Sequence, residues 1–346
     1  MLYKDIGIDT MVLLNAQNRY FYSNLATSYG AVILNETQNY FITDSRYASY
    51  AVQNAGEFKV IILKQGEDMF RSIAEVCKAL DTQVLGYEQN TILKINFDKL
   101  SSLLDCKLLA VGSHLDKDMS IKQDYMIANM QQAQNIAEKS LDKVRGIIKP
   151  NITEKELATQ IAYEMSTLGA SGPSFDTIVA FGENSAYPHH SPTDRKLKKS
   201  DIILVDMGAK YNGFCSDMTR TFAIGEIPIE LQKIHALVLQ SQEQALSKIK
   251  DGLKGNFVDS LSREYLKANG YADKFVHSLG HGVGVAVHEF PRLSAMSDDV
   301  LHTNMVVTVE PGVYINGLGG VRIEDMVLVQ DDGIYNFTNY SKQLYL

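Results

Sequence analysis

Cysteine is scarce in this sequence, which contains three in 346 residues, at positions 77, 106 and 215. They are odd in number, widely spaced and without a CxxC pair, so neither a disulfide framework nor a thiolate zinc site is indicated. We therefore interpret Cys77, Cys106 and Cys215 as reduced thiols, which is typical of a cytoplasmic protein.

Long apolar runs and basic clusters are missing as well. No stretch approaches 18 uninterrupted apolar residues, so the sequence predicts no transmembrane helix. The N-terminal segment MLYKDIGIDTM has no apolar core behind a basic start, and a signal peptide is not expected. The net charge is −8 and no run of Lys or Arg suits a phosphate backbone, so we expect neither a nucleic-acid nor a membrane partner.

The length predicts two domains, because 346 residues exceed what one core usually organises. We place the first at residues 1–120 and the second at residues 121–346. The first domain has an α/β pattern and a single histidine, His114, so no chemistry is assigned to it. Its predicted strands and helices fall at 11–15, 31–34, 40–42, 60–63 and 83–86, and at 68–80 and 92–104, respectively.

Helix signals dominate the first half of the second domain. A long helical pattern covers residues 122–144. Thr153 and Glu156 have the spacing of a capping box, which predicts a helix that runs to about residue 168. Strand is expected at 175–180, and two more helices are predicted between Pro228 and Gly252 and over residues 256–269.

The segment 201–217 (DIILVDMGAKYNGFCSD) predicts a hairpin with an acid in each arm. A turn at Asn212 and Gly213 places Asp206 opposite Thr219, and Asp206 and Asp217 then lie diagonally on one face. One aspartate at a strand end is usually a solvated turn or a cap. Two in an apolar sheet repel each other unless a cation lies between them, so we expect a metal here.

Histidines cluster later in the chain, where His277, His281 and His288 fall in the phrase HSLGHGVGVAVHE. The interleaved glycines exclude a stable helix and hence the HExxH arrangement of many zinc peptidases. A lone histidine is more often a structural hydrogen-bonding residue. Three within twelve residues instead indicate a site.

Two further acids belong to strands, Glu310 at the exit of a buried strand in VVTVEPG and Glu324 in the glycine-flanked segment GVRIED. We expect Glu324 to lie on its strand. Oxygen-rich ligand sets without thiolate favour manganese, cobalt or iron over structural zinc. Five ligands exceed the need of one divalent ion, so two bridged ions are predicted, able to activate a shared water and polarise a carbonyl. The predicted ligands are Asp206, Asp217, His281, Glu310 and Glu324.

These motifs resemble those of the pita-bread metallopeptidases, which include methionine aminopeptidase, aminopeptidase P and prolidase. The matching phrases in residues 121–346 are VDMG, CSDMTRTF, GHGVG, VEPGVY and RIED. Residues 1–120 resemble the creatinase-type N-terminal domain of the proline-directed members. The resemblance implies an α/β (α+β) fold whose second domain has a curved antiparallel sheet flanked by helices. It also implies a homodimer and two divalent ions per chain, with Mn²⁺ expected first and Co²⁺, Fe²⁺ or Zn²⁺ as alternatives.

The resemblance also implies a role for each metal ligand. Asp217 and Glu324 would bridge the two ions, His281 and Glu310 would hold one of them, and Asp206 would hold the other. Glu310 resembles the carboxylate that takes a proton from the bridging water and passes it to the leaving nitrogen.

Residues around the ligands are assigned in the same way. His189 in SAYPHHSP matches a histidine at the substrate pocket, with His190 the weaker candidate. His277 and His288 match a pair that flanks the ligand histidine, and His288 would donate to the substrate carbonyl or the tetrahedral intermediate. Arg322 and Tyr314 complete the expected substrate side of the site. Arg322 would also pair with the acids, and a packed strand aromatic is the more common role for a tyrosine such as Tyr314.

The extra N-terminal domain favours the proline-directed branch, in which the bond before proline is cleaved. Arg292 in HEFPRLS lies where some prolidases bind the free carboxylate of a dipeptide, and a guanidinium suits that role. We therefore favour an Xaa-Pro dipeptidase slightly over an Xaa-Pro aminopeptidase that accepts longer peptides. A creatinase-like hydrolase without metal and a non-catalytic peptide-binding module remain as alternatives, although both fit five intact ligands poorly.

Overall fold

The structure, a computed structural model, describes residues 6–346, so the first five residues of the N-terminal segment interpreted above lie outside the described residues. The chain divides after residue 119 into two compact units. Both units combine helices and strands, which confirms the predicted fold class.

A mixed six-stranded sheet forms the centre of the first unit. Its strands are β1 Thr10–Leu13, β2 Ala31–Asn35, β3 Tyr40–Asp44, β4 Lys59–Leu63, β5 Val84–Tyr87 and β6 Lys107–Ala110. The spatial order is β4-β3-β2-β1-β5-β6. The five predicted strands are confirmed with small shifts at their ends. The sequence analysis missed β6, a short edge strand that pairs in parallel with β5.

The helices of the first unit cover both faces of this sheet. They are α1 Ala16–Ser23, α2 Ala48–Asn54, α3 Met69–Ala79, α4 Lys94–Leu103 and α5 Gly112–Ser120. Met11 and Leu13 pack in one core cluster with α2 and α5, whereas Val12 packs in another with α3 and α4. Successive strand residues point to opposite faces, so this alternation buries β1 on both sides.

Four helices belong to the second unit: α6 Asp124–Arg145, α7 Glu154–Thr167, α8 Ile229–Leu246 and α9 Gly255–Ala268. The capping box at α7 is confirmed. The Thr153 hydroxyl accepts from the Glu156 backbone N–H at 3.1 Å, and the Glu156 carboxylate accepts from the Thr153 N–H at 2.8 Å. None of the helices within residues 6–346 has both the length and the apolar character needed to cross a membrane.

The strands of the second unit pair with one another in antiparallel ladders. The sheets are β12-β9-β8, β11-β10-β7, β14-β13-β15-β18-β19 and β16-β17. The bounds are β7 Gly172–Pro173, β8 Ile178–Phe181, β9 Ile202–Met207, β10 Ala209–Tyr211, β11 Phe214–Cys215, β12 Met218–Ala223, β13 Gly280–Gly282, β14 Glu289–Leu293, β15 Val306–Val309, β16 Gly312–Ile315, β17 Gly319–Arg322, β18 Asp325–Gln330 and β19 Gly333–Asn336.

The predicted hairpin register is confirmed. Asp206 pairs with Thr219, and the turn residues Asn212 and Gly213 both have positive φ, at 44° and 77°. Such a pair of dihedrals is what a two-residue hairpin turn requires. The ribbon is interrupted at Gly208, where an added Cβ would lie 1.9 Å from the carbonyl oxygen of Ser216. The two arms therefore approach more closely there than any side chain would permit.

Two core clusters support the sheets of this unit. One joins α6 and α7 to β8, β9 and β12, and the other joins α8 and α9 to β14, β15, β16, β17 and β18. Glu324 departs from the sequence expectation because it lies in a two-residue break between β17 and β18. Its backbone N–H donates to the Thr219 carbonyl, so the chain leaves one ladder at this point before it joins the next.

A buried histidine on α8 has a ring nitrogen that no described residue contacts through a hydrogen bond. His235 is buried on the apolar face of α8, and its Nε2 has no hydrogen-bond partner among the described residues. Burial lowers the pKa of His235 to about 4. The imidazole is therefore neutral in the folded state at pH values where the unfolded chain already takes up a proton.

This difference predicts acid sensitivity. The unfolded state binds the extra proton below about pH 6.5, so the free energy of unfolding falls as pH decreases from there toward 4. We expect His235→Met to remove about 2 kcal/mol of the fall between pH 7 and pH 5. Urea unfolding at pH 7 and pH 5 measures it. A variant with the same pH dependence as the parent protein contradicts the assignment.

Candidate metal centre

The five predicted ligands come from five different strands or strand ends in the second unit. Asp206 lies near the end of β9, and Asp217 lies just before β12. His281 is on β13, Glu310 follows β15 directly, and Glu324 follows β17. Strand ends and breaks thus carry four of the five side chains, where the backbone can turn them away from the ladders.

Three of these side chains lie close enough together to hold a metal ion. Asp217, His281 and Glu324 each offer one ligand atom, and these atoms lie within 4.8 Å of one another. Glu310 joins them through its Oε1, which is 3.3 Å from the Nε2 of His281. The same nitrogen is 3.7 Å from Oδ2 of Asp217. Residues more than a hundred positions apart therefore converge on one point.

The imidazole of His281 is oriented from behind. Its Nδ1 is 3.1 Å from the carbonyl oxygen of Gly282, and a carbonyl only accepts, so Nδ1 carries the proton and donates it. Burial opposes protonation of His281, but the hydrogen bond and charge of Glu310 raise its pKa. In the metal-free site Nε2 thus carries a proton toward the carboxylates, and loss of that proton leaves a neutral ring with its proton on Nδ1. This tautomer is the one that a metal ligand needs.

Asp206 has one oxygen paired and one unpaired. Its Oδ2 accepts from Nη2 of Arg322 at 2.6 Å. Its Oδ1 is buried and has no hydrogen-bond partner among the described residues. An unpaired buried carboxylate oxygen is costly, and a cation satisfies it.

The charges of the cluster do not balance without a cation. Burial raises the pKa of Asp217 well above its usual value, and the charges of Glu324, Asp206 and Glu310 raise it further. The pKa of Glu324 is raised in the same way. Burial also opposes ionisation of Glu310, but the hydrogen bond and charge of His281 outweigh it and lower its pKa to about 2. The donor set of carboxylates and one imidazole fits divalent ions that prefer oxygen.

Arg322, Tyr314 and His277 form a buried hydrogen-bonded network beside the acids. Arg322 donates through Nη1 to the Tyr314 hydroxyl at 2.7 Å and through Nε to the Thr219 hydroxyl at 3.0 Å. His277 Nδ1 lies 2.8 Å from the Ser278 carbonyl and therefore carries the proton, so its Nε2 accepts from Tyr314 at 2.9 Å. Burial raises the pKa of Tyr314 to about 12, which keeps the phenol neutral.

This placement bears on two predicted roles. The predicted pairing of Arg322 with the acids is present as its ion pair with Asp206. Both Arg322 and Tyr314 are buried, and their side-chain polar atoms are engaged by protein groups. Direct substrate contact by these two residues stays a prediction.

The remaining predicted residues lie at the exposed side of the cluster. His288 is exposed, and its ring centroid is 4.3 Å from that of His281. Burial lowers the pKa of His288, and the neighbouring charges of His281 and His189 lower it further. Arg292 is exposed and pairs with His281 across β13 and β14, so the two side chains share one face of the sheet.

Several polar residues at the site escaped the sequence analysis. The Thr219 hydroxyl donates to Glu324 at 2.6 Å, and the Thr308 hydroxyl donates to Glu310 at 3.1 Å. Strand periodicity was the available signal for Thr308, which lies two residues before Glu310. The buried ion pair of Lys122 and Glu289 at 2.9 Å had no local signal, because 167 positions separate the two residues.

Comparisons with known proteins agree with this geometry. The profile of metallopeptidase family M24 matches residues 128–331, and that of the creatinase/prolidase N-terminal domain matches residues 2–117. An Xaa-Pro dipeptidase from Pyrococcus furiosus is 34% identical over 343 residues, which cover 98% of this chain and 95% of that protein.

Solved structures are similar over the whole chain. An Xaa-Pro dipeptidase from Bacillus anthracis has a TM-score of 0.95 at 35% identity and covers 99% of this chain and 97% of its own. An X-Pro aminopeptidase from Thermotoga maritima has a TM-score of 0.92 at 34% identity, with coverage of 100% and 99%. Enzymes named for both substrate lengths thus share this architecture.

The unbalanced charge predicts a trade between stability and metal binding. Asp217→Asn removes one buried acid, so we expect the metal-free variant to gain about 1–3 kcal/mol in free energy of unfolding over the metal-free parent. Added Mn²⁺ should raise the Tm of the parent protein much more than that of the variant. Thermal unfolding with and without metal measures both effects.

The exposed Asp332 provides the matched control, since Asp332→Asn should change neither quantity. A metal-free Asp217→Asn protein that is less stable than the parent would contradict the repulsion argument.

Proposed function

Because this chain belongs to metallopeptidase family M24, we propose that it hydrolyses the Xaa-Pro bond at the N-terminus of dipeptides or short peptides. The observation that carries the proposal is the convergence of Asp217, His281 and Glu324 beside the unpaired oxygen of Asp206. A creatinase/prolidase N-terminal domain accompanies this cluster, as expected for the proline-directed branch.

We propose that Asp206, Asp217, His281, Glu310 and Glu324 hold two divalent ions, with Mn²⁺ the first expectation. Bound ions would polarise the scissile carbonyl and lower the pKa of a water molecule. The carboxylate-rich donor set supports manganese, cobalt or iron over zinc. Metal analysis tests this: close to two ions per chain is expected, whereas an active metal-free protein would support the creatinase-like alternative.

Glu310 is suited to move the proton. Its Oε1 is held by the Thr308 hydroxyl and lies 3.3 Å from His281, while Oε2 is 4.0 Å from Nδ1 of His277. Because Nδ1 of His277 donates to a backbone carbonyl instead, Oε2 remains available as a proton acceptor. We assign it to take a proton from the attacking water and to return it to the proline nitrogen as the C–N bond breaks.

His189, His277 and His288 would complete the catalytic set. His277 is fixed by Tyr314 and the Ser278 carbonyl, so it supports the site in a neutral form. His189 and His288 are exposed beside the cluster and are free to meet substrate. We assign His288 to donate to the carbonyl oxygen as negative charge develops there.

This role predicts a loss of turnover without a loss of metal. His288→Ala should lower kcat about 100-fold, because one oxyanion donor is removed. Peptide hydrolysis and metal content would be measured on the same preparation. The control is His302→Ala. His302 is another histidine of the second unit, and it is paired with Asp251. If His288→Ala loses its metal, the residue is a ligand and the assigned role is wrong.

Arg292 supports the preference for dipeptides. It faces the same side of the sheet as His281 and is exposed, so its guanidinium is available to a carboxylate near the metal cluster. In an Xaa-Pro dipeptide that carboxylate belongs to proline itself, whereas a longer peptide carries an amide there. The alternative is an Xaa-Pro aminopeptidase that acts on longer chains.

Rates on Xaa-Pro, Xaa-Pro-Yaa and Met-Ala-Yaa peptides with Mn²⁺ test the proposed function. Cleavage of the first two and not of the third is expected. Cleavage of Met-Ala-Yaa with neither proline peptide cut would overturn the function, and no hydrolysis at all by metal-loaded protein would favour a binding module.

For Arg292→Ala we expect kcat/KM to fall about 10–100-fold on Xaa-Pro and to change little on Xaa-Pro-Yaa, because a charge-assisted hydrogen bond is lost from the dipeptide alone. Lys248→Ala, at an exposed cation, is the control. An equal loss on both peptides argues against carboxylate binding.

We also propose a cytoplasmic homodimer. The three free cysteines support the compartment, since reduced thiols persist there. The dimer follows from the resemblance to proline-directed family members, and sedimentation of the metal-loaded protein tests it.

A further inference from the structure

Glu154 is a completely buried carboxylate that none of the metal-binding motifs contains. It is the first residue of α7, and its side chain is 0% exposed. Its Oε1 accepts from the Phe181 backbone N–H at 2.8 Å and from the Asn184 amide at 2.9 Å. Its Oε2 accepts from the N–H and hydroxyl of Thr193, at 2.9 and 2.6 Å, and from the His190 ring at 2.9 Å.

These contacts keep the carboxylate ionised. Burial alone would raise the pKa of Glu154, but hydrogen bonds from Thr193, His190, Phe181 and Asn184 outweigh it and lower the pKa below its usual value. An ionised carboxylate only accepts hydrogen bonds, so Nε2 of His190 carries the proton in this pair. Five donors on one anion define the position of every group that contacts it.

All four partners lie in one segment, residues 181–193, which begins at the last residue of β8 and leads toward β9. This segment carries His189, whose own side chain is exposed. The residue before it, Pro188, offers its carbonyl to Arg322 Nη1 at 3.4 Å, and the residue after it is His190. One neighbour of His189, Pro188, is therefore bound by Arg322 of the acid cluster, and the other, His190, is bound by Glu154.

The N-terminal end of α7 is capped by other residues. Thr153 and Glu156 already form the capping box that satisfies the first turn. The carboxylate of Glu154 points instead to the loop that leads to the site. Its hydrogen bonds span 27 to 39 positions of sequence, which is the reach of a tertiary clamp rather than of a helix cap.

We propose that Glu154 is a positioning residue, which fixes His189 beside the metal cluster through His190 and Thr193. The inference rests on the proposed function, in which His189 meets the substrate. A shift of about 1 Å in a group that positions substrate lowers rates by up to about 100-fold, so the clamp has a kinetic consequence.

Glu154→Gln tests the clamp with little change in volume. A glutamine presents one acceptor oxygen and one donor NH₂. The donors that now contact one of the two carboxylate oxygens therefore lose their acceptor. We expect kcat/KM on Xaa-Pro peptides to fall about 10–100-fold with metal content unchanged. Glu156→Gln in the same helical turn is the control, because it weakens only the capping box and should stay within about twofold of the parent rate.

A double-mutant cycle with His189→Ala separates positioning from general destabilisation. If Glu154 acts through His189, Glu154→Gln should have little further effect on kcat/KM once His189 is alanine. Independent effects that multiply would overturn the proposal, as would a Glu154→Gln protein with the parent rate. If Glu154→Gln does not fold, His190→Ala and His190→Gln replace it: the glutamine keeps a donor and should restore part of the activity that alanine loses.

A readout without substrate distinguishes failure of this inference from failure of the proposed function. Ring ¹H–¹⁵N spectra of zinc-loaded protein, with His189→Ala for assignment, report the environment of His189 directly. Glu154→Gln should shift or broaden the His189 signal, and Glu156→Gln should leave it unchanged. An unaltered His189 signal in Glu154→Gln would overturn the clamp, whichever peptide the enzyme cleaves.

Discussion

Mutual repulsion among buried carboxylates is the constraint on which the second unit depends. Asp206, Asp217, Glu310 and Glu324 converge where the surrounding charges of Arg322 and His281 are too few to neutralise them. Arg322 donates to Asp206, and the hydroxyls of two threonines donate to Glu310 and Glu324. One oxygen of Asp206 has no protein partner among the described residues. A bound cation would relieve this repulsion, so the crowding of acids is a feature of a cation site and not a defect of packing.

Much of this arrangement could be predicted from local sequence patterns. Apolar residues before Asp206 and the Asn212–Gly213 turn determine the hairpin register, because a two-residue turn with positive φ allows few others. The capping box of α7 could also be predicted, because its two partners lie three residues apart. The five proposed ligands could be selected by residue type and by position on or near strands. Four of them lie close together in the structure, namely Asp217, His281, Glu324 and Glu310. Their individual roles rest on the resemblance.

Contacts that join distant segments could not be predicted in this way. Nothing near Glu154 in the sequence indicates that it accepts from residues as far as Thr193, and Lys122 gives no hint of Glu289. The break at Glu324 also escaped prediction, because it depends on a backbone bond to Thr219 in another sheet. Local periodicity reports which face of an element is buried, whereas the partner across the core is decided by the topology.

The two-residue hairpin turn has a consequence for the order in which the site is assembled. Asp206 and Asp217 meet after a short loop closes, whereas Thr219 reaches Glu324 only across 105 positions. The entropic cost of closing a loop grows with its length. The pair of aspartates is therefore brought together by local contacts, whereas the imidazole and the two glutamates reach the site through long-range contacts. Tight coordination of a cation therefore requires the completed second unit. A cation would bind only to chains in which this unit has folded.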